Sequence, residues 1–356
     1  MQNTVTARID LSALRDNLDV VRKFCPNSRV MSMVKADAYG HGLIPVARAL
    51  RESDGLAVAR MKEALCLRQA GIKQRILLLG TLLEAADLTL CSQLGIDVTA
   101  HDAAAVANIA TMARRFPLRV WLKLDSGMHR MGLEPQAFIE ADKALRSHPG
   151  ITELVHMTHL SSAEDPDSVV TNRQIACFAA CHSENPTAKA SLANSAALIT
   201  RPEVHADWVR PGIMLYGDNP VVSHSVAVRP AMTLVARVIA VRDIGAGESV
   251  GYNGCWTSSR PSRIATLGLG YADGYPRHAR IGTPVWINAM LAPLVGRVSM
   301  DSLGVDVTDC ERVSIGDEAV LWGPQLPASI VAKHCDSISY ALLSCVTGRV
   351  EREYAN

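Results

Sequence analysis

The sequence predicts an α/β protein, an N-terminal (β/α)8 barrel of the TIM type followed by a mostly β C-terminal domain. Three observations carry this reading. Short β-branched runs alternate with helically periodic stretches over the first two-thirds of the chain. Eight such runs can be counted there, and after about residue 225 the alternation gives way to short strands separated by glycine-bearing turns. Alternating strands and helices imply parallel strands joined by helical crossovers, and eight of them favour a closed barrel. The 356 residues suit one large domain plus a smaller one.

The first helix is expected where Leu11, Leu14, Leu18 and Val21 share a face behind Asp10, a suitable N-cap. Strands are expected at 29–34, 55–59, 75–79, 96–100, 118–124, 152–159, 188–193 and 207–213. Helices should fill 43–52, 60–70, 83–94, 101–115, 134–147 and 171–184. The seventh and eighth units carry the weakest signal, because 188–193 is rich in alanine and serine. Later, LVARVIAV, SRIATLGL, TPVWIN, LAPLVGRVSM, LGVDV and EAVLWG read as mostly antiparallel strands, with turns at GAGE, YNG and GDE. The domains are accordingly drawn as 1–225 and 226–356, with the boundary in the Pro/Ser-rich stretch 218–230.

Composition narrows the function. Lys plus Arg number 36 against 35 Asp plus Glu, with no basic run, which argues against a nucleic-acid partner. No apolar run reaches the ~18 residues of a membrane span. The opening MQNTVTARIDLSAL lacks the basic-then-apolar order of a leader, so no membrane partner and a cytoplasmic location are expected. The nine cysteines are scattered, and Cys177 and Cys181 have helical spacing, which suits reduced thiols. The eleven histidines form no HExxH or HxxEH pattern, so no metal is expected.

The chemistry begins at VKADAYGHG, residues 34–42, where Lys35 directly follows an apolar strand. In a β/α barrel that places it at the C-terminal rim, where active sites sit. A partly desolvated lysine there becomes an amine nucleophile, and the glycines let the backbone approach a ligand. A lone strand-end lysine is most often an ordinary surface residue. Other strand ends carry unusual polar groups as well: Lys123, Asp125 and Arg130 in KLDSGMHRMG, His159, Asn194 and Ser195, and Arg210 in WVRPG. An unpaired ammonium in an apolar strand is costly. Each residue has an innocuous explanation alone; together the ring describes a site for an anionic, polar ligand.

VKADAYGHG, KLDSGMHRMG, ANSAA, DWVRPGIMLYG, LGYADGYPR and GRVSMD resemble, in order and spacing, motifs of the alanine racemase family, over nearly the whole chain. The resemblance implies pyridoxal 5′-phosphate as cofactor, a small amino acid as substrate and a homodimer with shared sites. Lys35 resembles the Schiff-base lysine, which is also one of two acid/base groups. Tyr271 resembles the opposing base, supplied by the partner subunit. Arg210 resembles the arginine facing the pyridine nitrogen, and His159 the histidine linking it to the tyrosine. Lys123 is similar to a lysine often carbamylated in the family, which helps place Arg130 at the cofactor's phenolic oxygen. Tyr39, Ser195, Gly212 and Ile213 resemble the phosphate cradle. Met300 and Asp301, again from the partner, resemble groups near the substrate carboxylate.

Physical chemistry agrees with these roles. Racemisation removes a proton from one face of the α-carbon and returns one to the other, which a single base serves poorly. Lysine and tyrosine have ordinary pKa values of about 10, which cationic neighbours lower for work at neutral pH. Arginine does not readily give up its proton, so Arg210 would leave the ring nitrogen unprotonated and the electron sink weak. A carbamate on Lys123 would pair bidentately with Arg130; a salt bridge from Lys123 to Asp125 or a nearby acid is the plain alternative, and both stay open here.

Two positions depart from the family pattern. Asp37 stands where asparagine is commoner, and Gly348 stands where many members carry a tyrosine that reaches the cofactor phosphate. Gly348 would open space beside the substrate side chain, so serine or another small amino acid is an alternative substrate. The run LGLGYADG is GxGxxxG in the β-rich part, not a dinucleotide loop. A related decarboxylase would pair the pyridine nitrogen with an acid, which Arg210 opposes. A non-catalytic carrier of the cofactor would lack the β domain and Tyr271, and the intact polar ring argues against an inactive relative.

Overall fold

The computed structural model describes residues 4–80 and 82–356; residues 1–3, part of the stretch read for a leader, lie outside. Strand β1 (Val5–Asp10) runs straight into helix α1 (Leu11–Phe24) because Asp10 ends the one and caps the other. Its Oδ1 accepts the Ala13 amide at 2.9 Å, the bond expected of an N-cap. Leu14, Leu18 and Val21 are buried on one face of α1, as their spacing requires.

The barrel follows in the expected order: β2 (Arg29–Met33), the short segment α2 (Lys35–Tyr39), α3 (Leu43–Ala49), β3 (Gly55–Val58), α4 (Met61–Gln69), β4 (Arg75–Leu78), α5 (Ala85–Gln93), β5 (Ile96–Ala100) and α6 (Ala103–Ala113). It continues with β6 (Leu118–Lys123), α7 (Pro135–Arg146), β7 (Ile151–Met157), α8 (Val169–His182), β8 (Lys189–Ser191), α9 (Ser195–Thr200) and β9 (Trp208–Val209). All eight expected strands are present, hydrogen-bonded in parallel in the order β8-β7-β6-β5-β4-β3-β2-β9. The Ala/Ser-rich β8 and β9 are the two shortest, and they meet through the Arg210 amide on the Ala193 carbonyl and the Ser191 hydroxyl on the Trp208 carbonyl. Helix α9 was not anticipated; Asn194 caps it by accepting the Ala197 amide at 3.0 Å.

Charged and aromatic side chains close the floor of the barrel. Fully buried Asp97 takes Trp121 Nε1 at 2.8 Å and ion pairs from Arg75 and Arg119, and the Arg75 guanidinium lies 5.1 Å from the Trp208 ring centroid. With the floor sealed, the open end lies at the C-termini of the strands.

The second sheet contains β10 (Met232–Ile244), β13 (Ser262–Leu267), β14 (Pro284–Ile287), β15 (Met290–Val295), β16 (Leu303–Asp306), β17 (Glu318–Trp322) and β18 (Glu351–Ala355), while β11 (Ser249–Val250) and β12 (Trp256–Thr257) form a separate pair. The order β13-β16-β15-β14-β17-β10, with β13 returning to β10, closes six antiparallel strands into a small barrel. Each β-rich segment read from the sequence supplies one of these strands. Strand β1 was not anticipated: it pairs antiparallel with β10 and parallel with β18, so residues at the start of the chain belong to the sheet of the C-terminal part. Two short helices, α10 (Ala328–His334) and α11 (Ser339–Ser344), complete this part, and α11 packs on α2.

Candidate active site

A cavity of about 570 Å³ opens at the C-terminal rim of the barrel. It is lined by Lys35, Tyr39, Lys123, Arg130, His159, Asn194, Ser195, Arg210 and Gly212, so nearly the whole sequence-derived ring converges on one space. Among the described residues two lysines and two arginines face it, and no Asp or Glu does. A cavity with four cationic groups and no carboxylate selects an anionic ligand.

Lys35 follows the end of β2 and begins a turn of unusual hand. Ala36, Asp37, Ala38 and Tyr39 all have φ between 52° and 54°. Gly40 ends the turn at φ 82°, with the Leu343 carbonyl oxygen of α11 only 2.0 Å from where a Cβ would stand. The glycine is therefore required by the close seating of α11, as well as by its own backbone angle. Burial, reinforced by Arg130, lowers the Lys35 pKa, while Glu63 opposes the shift.

Lys123 ends β6 and is buried, and it makes no hydrogen bond or ion pair among the described residues. The alternative bridge to Asp125 does not form: Asp125 Oδ1 instead accepts the amides of Gly127, Met128 and His129 at 3.0–3.1 Å. Burial and then Arg210 and Arg130 push the Lys123 amine down to about 8. Arg130 is exposed and likewise unpaired among the described residues. His159 follows β7; burial, with Arg210 next, drives its pKa to about 3, so the ring is neutral at physiological pH. The His159 ring and Arg210 face the same cavity without bonding to each other.

Arg210, just after β9, is buried and held almost completely. Its Nη1 donates to the Ser191 carbonyl at 2.9 Å and hydroxyl at 2.5 Å. Its Nη2 donates to the carbonyls of Thr158 at 2.5 Å and Leu192 at 3.4 Å. That leaves Nε–H as the guanidinium donor without an acceptor among the described residues.

Ser195 Oγ accepts the amides of Gly212 at 2.8 Å and Met214 at 3.4 Å, which draws the 211–214 backbone to the start of α9. A Cβ on Gly212 would stand 2.6 Å from the Tyr39 hydroxyl, so glycine lets the backbone reach the cavity wall there. Ile213 is fully buried behind the wall and begins a 3-10 turn, whose first N–H is free of intrahelical bonding. Burial pushes the Tyr39 phenol up to about 12.

Three predicted site residues lie elsewhere. Tyr271 opens a 3-10 turn of the C-terminal part, and it and Met300 are exposed, at 37% and 53%. Their loops are joined by the Ala272 amide on the Met300 carbonyl at 3.0 Å, and Asp301 bonds Arg349 at 2.7 Å. Gly348 is exposed, and an added Cβ there would meet nothing within 4 Å. Sequence reasoning missed Tyr340 and Ser344 of α11, which also line the cavity. The only signal for them was a tyrosine in a chain with few aromatics, because their place depends on how α11 seats against the lysine turn. Asn194, in contrast, spends its amide on the α9 cap and the Leu160 carbonyl.

Comparisons with known proteins meet this geometry at both halves of the chain. Residues 9–220 match the family described as "Alanine racemase, N-terminal domain", and residues 231–354 match "Alanine racemase, C-terminal domain". The chain belongs to the alanine racemase family. It is 46% identical to the alanine racemase of Chromohalobacter salexigens, covering 100% of this chain and 99% of that one. The crystal structure of biosynthetic alanine racemase from Pseudomonas aeruginosa superposes with a TM-score of 0.96 at 43% identity, covering 100% of each chain. Alanine racemase from Bartonella henselae, solved with covalently bound pyridoxal phosphate, superposes at 0.92 with 30% identity, covering 99% of this chain and 100% of that one. The chain is thus an isomerase of the alanine racemase family with the family's two-part fold.

Proposed function

We propose that the chain interconverts L- and D-alanine with pyridoxal 5′-phosphate, using Lys35 of one protomer and the partner's Tyr271 as bases on opposite faces of the α-carbon. The carrying observation is that the cavity is one-sided. Of the groups that line it, Lys35 is an amine of lowered pKa, Lys123 is read as the carbamate, His159 at about 3 is too weak a base, and burial raises Tyr39 and Tyr340 and keeps them protonated. On that reading the second base comes from outside the protomer, and Tyr271 is exposed for such a role. This favours a homodimer; a domain boundary near 225–226 suits the change from alternating strands and helices to antiparallel strands, with β1 joining the C-terminal sheet. A cytoplasmic location suits nine cysteines that are all free. No helix among the described residues is long and apolar enough to cross a membrane.

The residues present fit the cofactor. The cavity far exceeds the needs of alanine alone, its cationic lining suits a phosphate ester, and the Arg210 Nε–H is the kind of donor a ring nitrogen accepts. Tyr39, Ser195, Gly212 and Ile213 would hold the phosphate, Arg210 the ring nitrogen and Lys35 the aldehyde carbon. When bound, the cofactor supplies an electron sink for charge at the α-carbon. The rest falls to the protein. Arg130, with the partner's Met300 and Asp301, orients the substrate carboxylate. One of Lys35 Nζ and the partner's Tyr271 Oη takes the α-proton while the other, protonated, returns one; the roles reverse in the opposite direction. Neutral His159, beside Arg210, keeps a further cation out of the site. The chain supplied with pyridoxal phosphate and L-alanine should form D-alanine until the enantiomers are equal, scored by chiral chromatography. Its absence from folded, cofactor-loaded protein refutes the reading.

Gly348, where many family members carry a tyrosine, motivates a tolerant pocket, although within one protomer it does not line the cavity. The expected preference in kcat/KM for L-alanine over L-serine is below about 100-fold, and a larger ratio exceeds what one or two lost contacts set aside. Lys123 supports a second refinement. Its amine, near 8 and unpaired, reacts in its neutral form with carbon dioxide; the N–C bond forms, a proton leaves to solvent, and the resulting carbamate faces Arg130. Protein in ¹³C-bicarbonate should show a carbamate carbon resonance that Lys123→Ala lacks, and identical spectra would remove the carbamate.

A further inference from the structure

Lys35 is carried on backbone that the chain must be held in. Left-handed conformation is unfavourable for ordinary side chains, and four consecutive residues after Lys35 adopt it. Such strain persists only where the surroundings over-determine it. Three ties act on the far end of the turn. Asp37 Oδ1 accepts the Leu43 amide at 2.8 Å, Arg352 Nε donates to the Gly40 carbonyl at 2.8 Å, and His41 Nδ1 bonds the carbonyls of Ala38 and Tyr39 at 3.1 and 2.9 Å.

The near end, where the lysine itself sits, depends on another side chain. Glu63 is the third residue of α4. Its Oε1 accepts the Ala36 amide at 2.7 Å, and its Oε2 accepts the amides of Ala59 and Arg60, each at 2.9 Å. The Ala36 amide belongs to the peptide group that follows Lys35, and Glu63 is the one side chain bonded to that group among the described residues. The carboxylate therefore bridges this peptide to the junction between β3 and α4. A helix cap for α4 would need only the second oxygen; the first is aimed across the rim at the lysine's own backbone.

We propose that Glu63 is a positioning residue for Lys35, fixing the peptide that presents the lysine amine to the cavity. The proposal rests on the reading of Lys35 as the reacting amine. Misplacement of a reacting group by about 1 Å can cost on the order of 10²-fold in rate, so a tie this close to the amine bears on turnover. Charge adds a second consequence. The groups that act on the Lys35 amine are the cations Arg130 and Lys123, the neutral His159, and the single carboxylate of Glu63. Burial and Arg130 lower the lysine pKa and Glu63 holds it up, so loss of the carboxylate lowers it further.

The test compares wild type, Glu63→Gln and Glu63→Ala as holoenzymes, by kcat and KM for alanine across pH and by hydrogen–deuterium exchange of residues 34–40. Glu63→Ala is expected to lose about 10-fold or more in kcat with KM changed less than about three-fold. In both variants the acid limb of the rate profile should move down by about half a pH unit or more, and residues 34–40 should exchange faster. Glu63→Gln, which keeps one acceptor oxygen, should retain more kcat; if Glu63→Ala fails to fold, Glu63→Gln is scored alone on the limb and the exchange. An unmoved acid limb overturns the proposal, with or without a fall in kcat, because a carboxylate that only stabilises the fold would leave it in place. If Lys35→Ala stays active, the reading of the lysine fails instead; if Lys35→Ala is inactive and the Glu63 variants match wild type, only the present proposal fails.

Discussion

Lys35→Ala is expected to lower alanine racemisation by at least about 10³-fold, because one substitution removes both the amine that anchors the cofactor and one of the two bases. The fold should survive. Lys35 lies at a cavity wall, where burial and Arg130 already disfavour its charged form, so its loss removes an unfavourable cation from the rim. The melting temperature is therefore expected to be unchanged or slightly raised while D-alanine formation disappears. An activity within about ten-fold of wild type, in protein that still binds pyridoxal phosphate, would show that another group does the work assigned to the lysine.

Tyr271→Phe is the second large effect, and its signature differs. The substitution keeps the ring and removes only the hydroxyl, from an exposed position in the C-terminal part. With two bases on opposite faces, loss of one should leave the other able to exchange the α-proton of a single enantiomer with solvent. Racemisation is expected to fall about 10³-fold, while NMR in D₂O still shows loss of the α-proton signal from one enantiomer of alanine. Exchange that falls equally for both enantiomers, or racemisation within about ten-fold of wild type, would count against a two-base division of labour.

The sequence showed the barrel well because its signals are local. Period-2 and helical patterns mark each βα unit, and the eight strands appear where expected, down to the Ala/Ser-rich β8. Strand β1 was illegible because its partners, β10 and β18, lie more than 200 residues away; no local pattern says that Val5–Asp10 pairs with Met232–Ile244. The cavity residues were legible as polar groups at the ends of apolar strands, which is unusual enough to mark a site. Glu63 was not, because a glutamate at the third position of a helix looks like an ordinary cap. Only the left-handed turn beside it, itself invisible in ADAY, reveals what its first oxygen reaches. Tyr340 and Ser344 were missed for a related reason: α11 is brought to the lysine turn by the Gly40–Leu343 contact, not by anything in its own sequence.

The central claim, a site completed by two protomers, is tested most directly by mixing chains. Lys35→Ala and Tyr271→Phe homodimers, each nearly inactive, are combined in equal amounts and subunit exchange is verified by native mass spectrometry. Each mixed dimer then holds one site with an intact Lys35 facing an intact Tyr271, so racemisation should return to about a quarter of the wild-type rate. No recovery despite proven exchange would contradict the shared site.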